Sequence, residues 1–255
     1  MKRLLLFLVF AIFCSSELSA QTKTTVQDGQ LWLGYFNQAR FSKRWGMWLD
    51  IHLRTEEKVF NDLSQLLFRA GITYYASEKI RITAGYVYAL QYPAEDMKGV
   101  VVPENRFWQL VQWQTQYPRI RMVQGLRFEQ RFRRNVLNYN ELAPGYNFNY
   151  RLRYNTVFNL PLNKVKIEAN TLSFVMSDEV MVNFGKNIVY NYFDQNRFFA
   201  GFSWYFNAHD NIQLGYMNLF QQLPAGNKYR SAHIVRLYFI QQVDFRKKAR
   251  NSSLH

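Results

Sequence analysis

Apolar and polar residues alternate with a period of two along most of the chain beyond its first twenty residues. The clearest stretch runs from Leu126 to Arg133. Leu126, Phe128, Gln130 and Phe132 fall on one face; Arg127, Glu129, Arg131 and Arg133 fall on the other. A helix would scatter these charges around its circumference, whereas a strand collects them on one side. A row of charges facing a dry core would be costly, and an aromatic row facing water equally out of place. A closed barrel in a membrane suits both faces, with lipid outside and a polar lumen inside.

The same alternation predicts strands over residues 31–40, 45–56, 63–75, 80–92, 106–115, 120–133, 146–160, 165–176, 197–206, 211–222 and 233–245. Longer loops are expected over 93–104 and 134–145. The register blurs between Ser173 and Asn183, where a bulge is expected. Short turns and longer loops alternate, the rhythm of an up-and-down antiparallel transmembrane β-barrel with short periplasmic turns. Single-chain bacterial barrels have even strand numbers. A weak further strand over 22–27 would give about twelve, with ten as the fallback. Trp48, Leu67, Val87, Trp108 and Leu110 fall on the luminal side by alternation, and such bulk argues for a partly plugged interior.

Residues 1–20 read as a secretory signal. Lys2 and Arg3 give the positive start, residues 4–13 the apolar core, and Leu18-Ser19-Ala20 the small-residue exit. That run is too short to span a membrane as a helix. The expected organisation is a signal over 1–20, one barrel domain over 21–245 and a basic tail over 246–255. Cys14 is the single cysteine, so cleavage after Ala20 leaves no disulfide and no thiolate metal site. The aromatic share of 18% exceeds that of an ordinary soluble domain and suits the interfacial belts of an outer-membrane barrel; most of the six tryptophans lie near strand ends. The formal charge of +14 would suit nucleic acid, but an exported protein rarely meets it. Outer-membrane lipid and lipopolysaccharide phosphates, or an anion-selective lumen, are the expected counterparts.

At Leu126-Arg127-Phe128-Glu129-Gln130-Arg131-Phe132, and again at Phe193-Asp194-Gln195-Asn196-Arg197-Phe198, the chain resembles the family catalogued as domain of unknown function 2490. Its members are exported proteins of Gram-negative bacteria regarded as outer-membrane barrels. The resemblance extends over essentially the whole chain beyond the signal. It implies an outer-membrane location and a barrel inserted by the barrel-assembly machinery, and it offers no catalytic residues to carry over. Outer-membrane chains commonly end on an aromatic residue, whereas here Phe245 is followed by the basic tail, so the assembly signal would be internal.

Arg127, Glu129, Arg131 and Arg133 are expected to form a luminal charge cluster with Arg151 and Arg153 of the next strand, because opposite charges pair across a sheet. Glu129 would accept charge-assisted hydrogen bonds from its arginine neighbours. Asp194-Gln195-Asn196 reads as a polar turn that aims Arg197 into the lumen, in preference to part of a ligand site, since Asp and Asn suit turn positions. The cluster is either an electrostatic lock or, because arginine outnumbers carboxylate, an anion-binding constriction. The barrel would then be a narrow channel or transport component for small anionic solutes, or else a structural barrel with a sealed lumen. A lipid-modifying enzyme is the third possibility. His52 and Ser64 lie on adjacent strands, but no Gly-x-Ser-x-Gly or His-Glu-x-x-His motif occurs. No catalytic residue, metal site or cofactor is expected.

Overall fold

A computed structural model describes residues 23–55, 63–93 and 99–246. The signal region, the end of the basic tail, Glu56 and most of the loop over 93–101 lie outside the described residues. Among the described residues eleven strands make up the fold: β1 (Thr24–Arg40), β2 (Trp45–Thr55), β3 (Leu63–Tyr75), β4 (Ile80–Gln91), β5 (Val102–Gln116), β6 (Arg121–Asn138), β7 (Glu141–Pro161), β8 (Thr171–Phe184), β9 (Phe193–Tyr205), β10 (Asp210–Gln222) and β11 (Lys228–Asp244). Each pairs antiparallel with its sequence neighbours, and β1 pairs with β11 to close the barrel.

The closing pair is parallel, with Thr24 opposite Lys228 and Arg40 opposite Asp244. This follows from the strand count. In an up-and-down meander with an odd number of strands, the first and last strands run in the same direction. Eleven is close to the expected twelve, but parity is not restored by a separate strand before Leu31. Thr24 to Gln27 extend β1 itself.

Short connections at 41–44, 76–79, 117–120 and 206–209 lie at one end, here the turn end. The other, or loop, end carries the connections at 56–62, 92–101 and 185–192. Residues 134–145, expected as a loop, instead extend β6 and β7, which meet at Tyr139-Asn140. The Asn138 side chain accepts a 2.9 Å hydrogen bond from the Asn140 amide and tightens the turn. Pro144 and left-handed Gly145 are tolerated there because β7 gains its second neighbour only from Tyr150 onward.

β8 starts at Thr171, later than the expected residue 165. Asn163 holds the preceding turn, donating to the Asn170 carbonyl and accepting from the Leu172 amide, both at 2.9 Å. The register break lies on the partner strand: Met181 faces Gln195 while Val182 faces Phe193. Asp194, left over, is buried within β9. Residues 194–197 are therefore a bulged strand and not a turn.

Outward-facing Phe68, Ile72, Phe107, Phe202 and Leu214 are exposed. Inward-facing groups fill the middle. Trp48, Leu67, Val87, Trp108 and Leu110 pack together on one wall, as alternation predicts. Phe199, Met217, Ile234 and Tyr238 join Trp32 on the opposite wall. Glycine pairs give the large rings room. Gly71 faces Gly85 across β3 and β4, and Gly201 faces Gly215 across β9 and β10. A Cβ at either member of the first pair would come within 2.9 Å of Trp108, and at either member of the second within 2.8 Å of Phe199.

Candidate functional site

Period-two alternation on β6 and antiparallel register with β7 set Arg127 opposite Arg153 and Glu129 opposite Arg151. Glu129 is wholly buried. Arg153 Nη1 approaches its Oε1 at 2.8 Å, Arg127 Nη1 lies at 3.8 Å, and Arg151 Nη1 lies 4.0 Å from Oε2. Arg153 also reaches across to β8, where its Nη2 is 2.7 Å from Glu179 Oε1; Arg197 Nη1 lies 3.6 Å from the other oxygen of that carboxylate. Arg151 Nη2 is 2.9 Å from Asp194 on the β9 bulge. A continuous ladder results, running Arg197–Glu179–Arg153–Glu129–Arg151–Asp194. Such alternation offsets the desolvation of each buried charge.

A second node forms on Glu104, also buried. Arg106 Nε donates to it at 2.7 Å, and Arg131 Nε donates to the same oxygen. On β2, Asp50 accepts from Arg69 Nη1 at 3.1 Å and from the Trp48 indole N–H, and His52 Nε2 lies 2.9 Å from its other oxygen.

Of the seven residues singled out from the sequence, Arg127, Glu129, Arg151, Arg153 and Arg197 share the ladder, and Arg131 joins the Glu104 node. Arg133 lies further toward the loop end, on a chamber wall, with no carboxylate in ion-pair range among the described residues. Sequence reasoning missed three carboxylates. Glu104 closes the segment expected as a loop, Glu179 lies in the stretch of blurred register, and Asp194 opens the expected turn. Extending the alternation back from Arg106 would have placed Glu104 inside.

Two chambers occupy the interior. The one on the loop side encloses about 270 Å³. Among the described residues nine arginines and a single carboxylate, Glu104, line it. The chamber on the turn side encloses about 310 Å³, with seven arginines, one carboxylate (Glu179) and an apolar flank. Trp32, Arg54, Arg69, Arg153 and Arg197 line both and form the layer between them. Arg54 lies 3.7 Å and Arg197 4.9 Å over the Trp32 ring. These cation–π contacts fix the indole across the interior.

His52 and Ser64 do not form a nucleophile–base pair here. The Ser64 hydroxyl donates to the Arg54 and Thr55 carbonyls at 3.1 and 3.2 Å. His52 is held by Asp50 and faces the turn-side chamber, whereas Ser64 faces the loop-side one. Among the described residues, no three His, Cys, Asp or Glu side chains gather as metal ligands.

A family described as protein of unknown function (DUF2490) matches residues 29–230, nearly the whole barrel. No curated protein and no solved structure gives a significant match to the chain.

Proposed function

From a chain that belongs to this family of unknown function, we propose an outer-membrane β-barrel that offers small anions a narrow path through its interior. The observation that carries this reading is the layer between the chambers. Four guanidiniums, from Arg54, Arg69, Arg153 and Arg197, line both chambers there, and those of Arg54 and Arg197 lie over the Trp32 indole. Arginine-rich constrictions attract anions and repel cations. The exposed aromatic and aliphatic outer face supports a lipid surrounding, and the short turns support a periplasmic turn end.

A sealed structural barrel is the second reading, favoured by the complete burial of Trp108 and Phe199 inside the lumen. Planar-bilayer recording under a KCl gradient separates the two. The anion path gives unitary currents whose reversal potential lies toward that of chloride, and Arg54→Ala with Arg197→Ala weakens that selectivity. Absence of current from folded protein would leave the sealed barrel standing.

A further inference from the structure

The two chambers differ in chemistry. The loop-side chamber is walled mainly by guanidinium and amide groups. In the turn-side chamber one flank is apolar, built by Phe36, Val157, Val175 and Ile240. Among the described residues Arg54, Arg121 and Arg236 have no acidic group within ion-pair distance. Every other arginine of this chamber does: Arg69 has Asp50, Arg127 has Glu129, and Arg153 and Arg197 have Glu179.

Arg236 is the most constrained of the three. Its guanidinium lies 3.4 Å over the Phe199 ring and 4.7 Å from that of Tyr238. This stacking fixes the plane of the group and leaves its edge for hydrogen bonding. Among the described residues one acceptor meets that edge, the Gln213 side-chain oxygen, and the buried Nε has no hydrogen-bond partner. Leaving a buried donor unpaired is costly, more so in a charged group. A planar guanidinium with open edge positions matches a carboxylate better than a spherical ion.

We propose that the turn-side chamber binds a small amphipathic carboxylate. The carboxylate pairs with Arg236, and a compact apolar body lies against Phe36, Val157, Val175 and Ile240. A volume of about 310 Å³ stands at the lower edge of the range for small-molecule sites, roughly 300–1,000 Å³, which limits the body to a short chain or a single ring. Arg121 and Arg54, the other two uncompensated cations of the chamber, favour an anion over its neutral analogue. This specifies the solute class for the anion path and rests on that reading, yet binding can be measured apart from conduction.

The test is titration calorimetry of the full barrel in lipid nanodiscs with hexanoate, alongside hexanol and inorganic phosphate. Hexanoate is expected to bind at least about tenfold more tightly than either control, the equivalent of 1.4 kcal/mol. Arg236→Met, which keeps an unbranched apolar stem and removes the guanidinium and its charge, is expected to abolish that preference. If Arg236→Met does not fold, Val157→Trp fills the chamber without touching a charge and is expected to block hexanoate. Equal binding of hexanoate and hexanol, or hexanoate binding unaffected by the folded variant, overturns the proposal. Anion current without hexanoate binding overturns it too while leaving the path intact. Hexanoate binding without current supports the site and rejects the path.

Discussion

The guanidinium of Arg54 rests 3.7 Å over the ring of Trp32, and both residues wall the two interior chambers at once. The indole therefore stands in the layer that the proposed anion path crosses. Trp32→Ala joins the two spaces and is expected to raise unitary conductance. It also costs about 3–5 kcal/mol, as for other buried aromatic truncations. Unchanged conductance in a folded Trp32→Ala barrel would show that the limiting constriction lies elsewhere.

Glu129 is a hub of the buried ladder, with Arg153 at 2.8 Å and Arg127 and Arg151 further off. Glu129→Gln keeps the shape of the side chain and leaves these cations undercompensated. The expected loss is about 3–5 kcal/mol, the usual effect of removing one partner from a buried ion pair. Differential unfolding in urea measures it. A loss no larger than that of a surface carboxylate would mean that water, and not Glu129, compensates these arginines.

At Gly85 an added Cβ would meet the Ala70 carbonyl at 2.1 Å and the Trp108 indole nitrogen at 2.9 Å. Gly85→Ala is expected to destabilise by about 1–3 kcal/mol through overpacking. Gly29→Ala is the control, since nothing lies within 4 Å of a Cβ there. Equal stability of the two variants would contradict the seating of Trp108 against the glycine pair.

The parallel seam is open to cross-linking. Gln27 faces Ser231 and Asn37 faces Gln241. In a Cys14→Ser background, Gln27→Cys with Ser231→Cys and, separately, Asn37→Cys with Gln241→Cys are both expected to oxidise to intramolecular disulfides. Neighbouring strands bring their Cα atoms within the required range. A further strand between β1 and β11 would prevent both.

Much of this architecture was legible in the amino-acid pattern because alternation is a local signal. Parity alone puts Trp48, Leu67, Val87, Trp108 and Leu110 inside, and they pack together there. The pattern failed where other forces set the backbone. Residues 134–145 carry Asn, Pro and Gly like a loop, yet the free edge of β7 accommodates them within a strand. On β8, inward Val175 and Met181 and outward Asp178 reverse the usual polarity, so the faces could not be assigned. The Asp194 bulge depends on pairing between distant strands. The ion-pair network was half legible: Arg127, Arg131, Arg151 and Arg153 lie on cleanly alternating stretches, while Glu179 lies where the faces of β8 blur, Asp194 on a bulge, and Glu104 at the start of β5, ahead of the point where the expected strand begins. The parallel closure was hidden by the parity rule, which set aside an eleven-strand count.

Everything proposed for the interior presupposes that the chain closes into a barrel within a membrane. The most direct measurement is electrophoresis of membrane-extracted protein, unheated beside boiled. A closed barrel resists detergent and is expected to run faster unheated, shifting to the mobility of the 30.6 kDa chain (or of its processed form) after boiling. Recovery in the soluble fraction with no heat-dependent shift would contradict the account at its base.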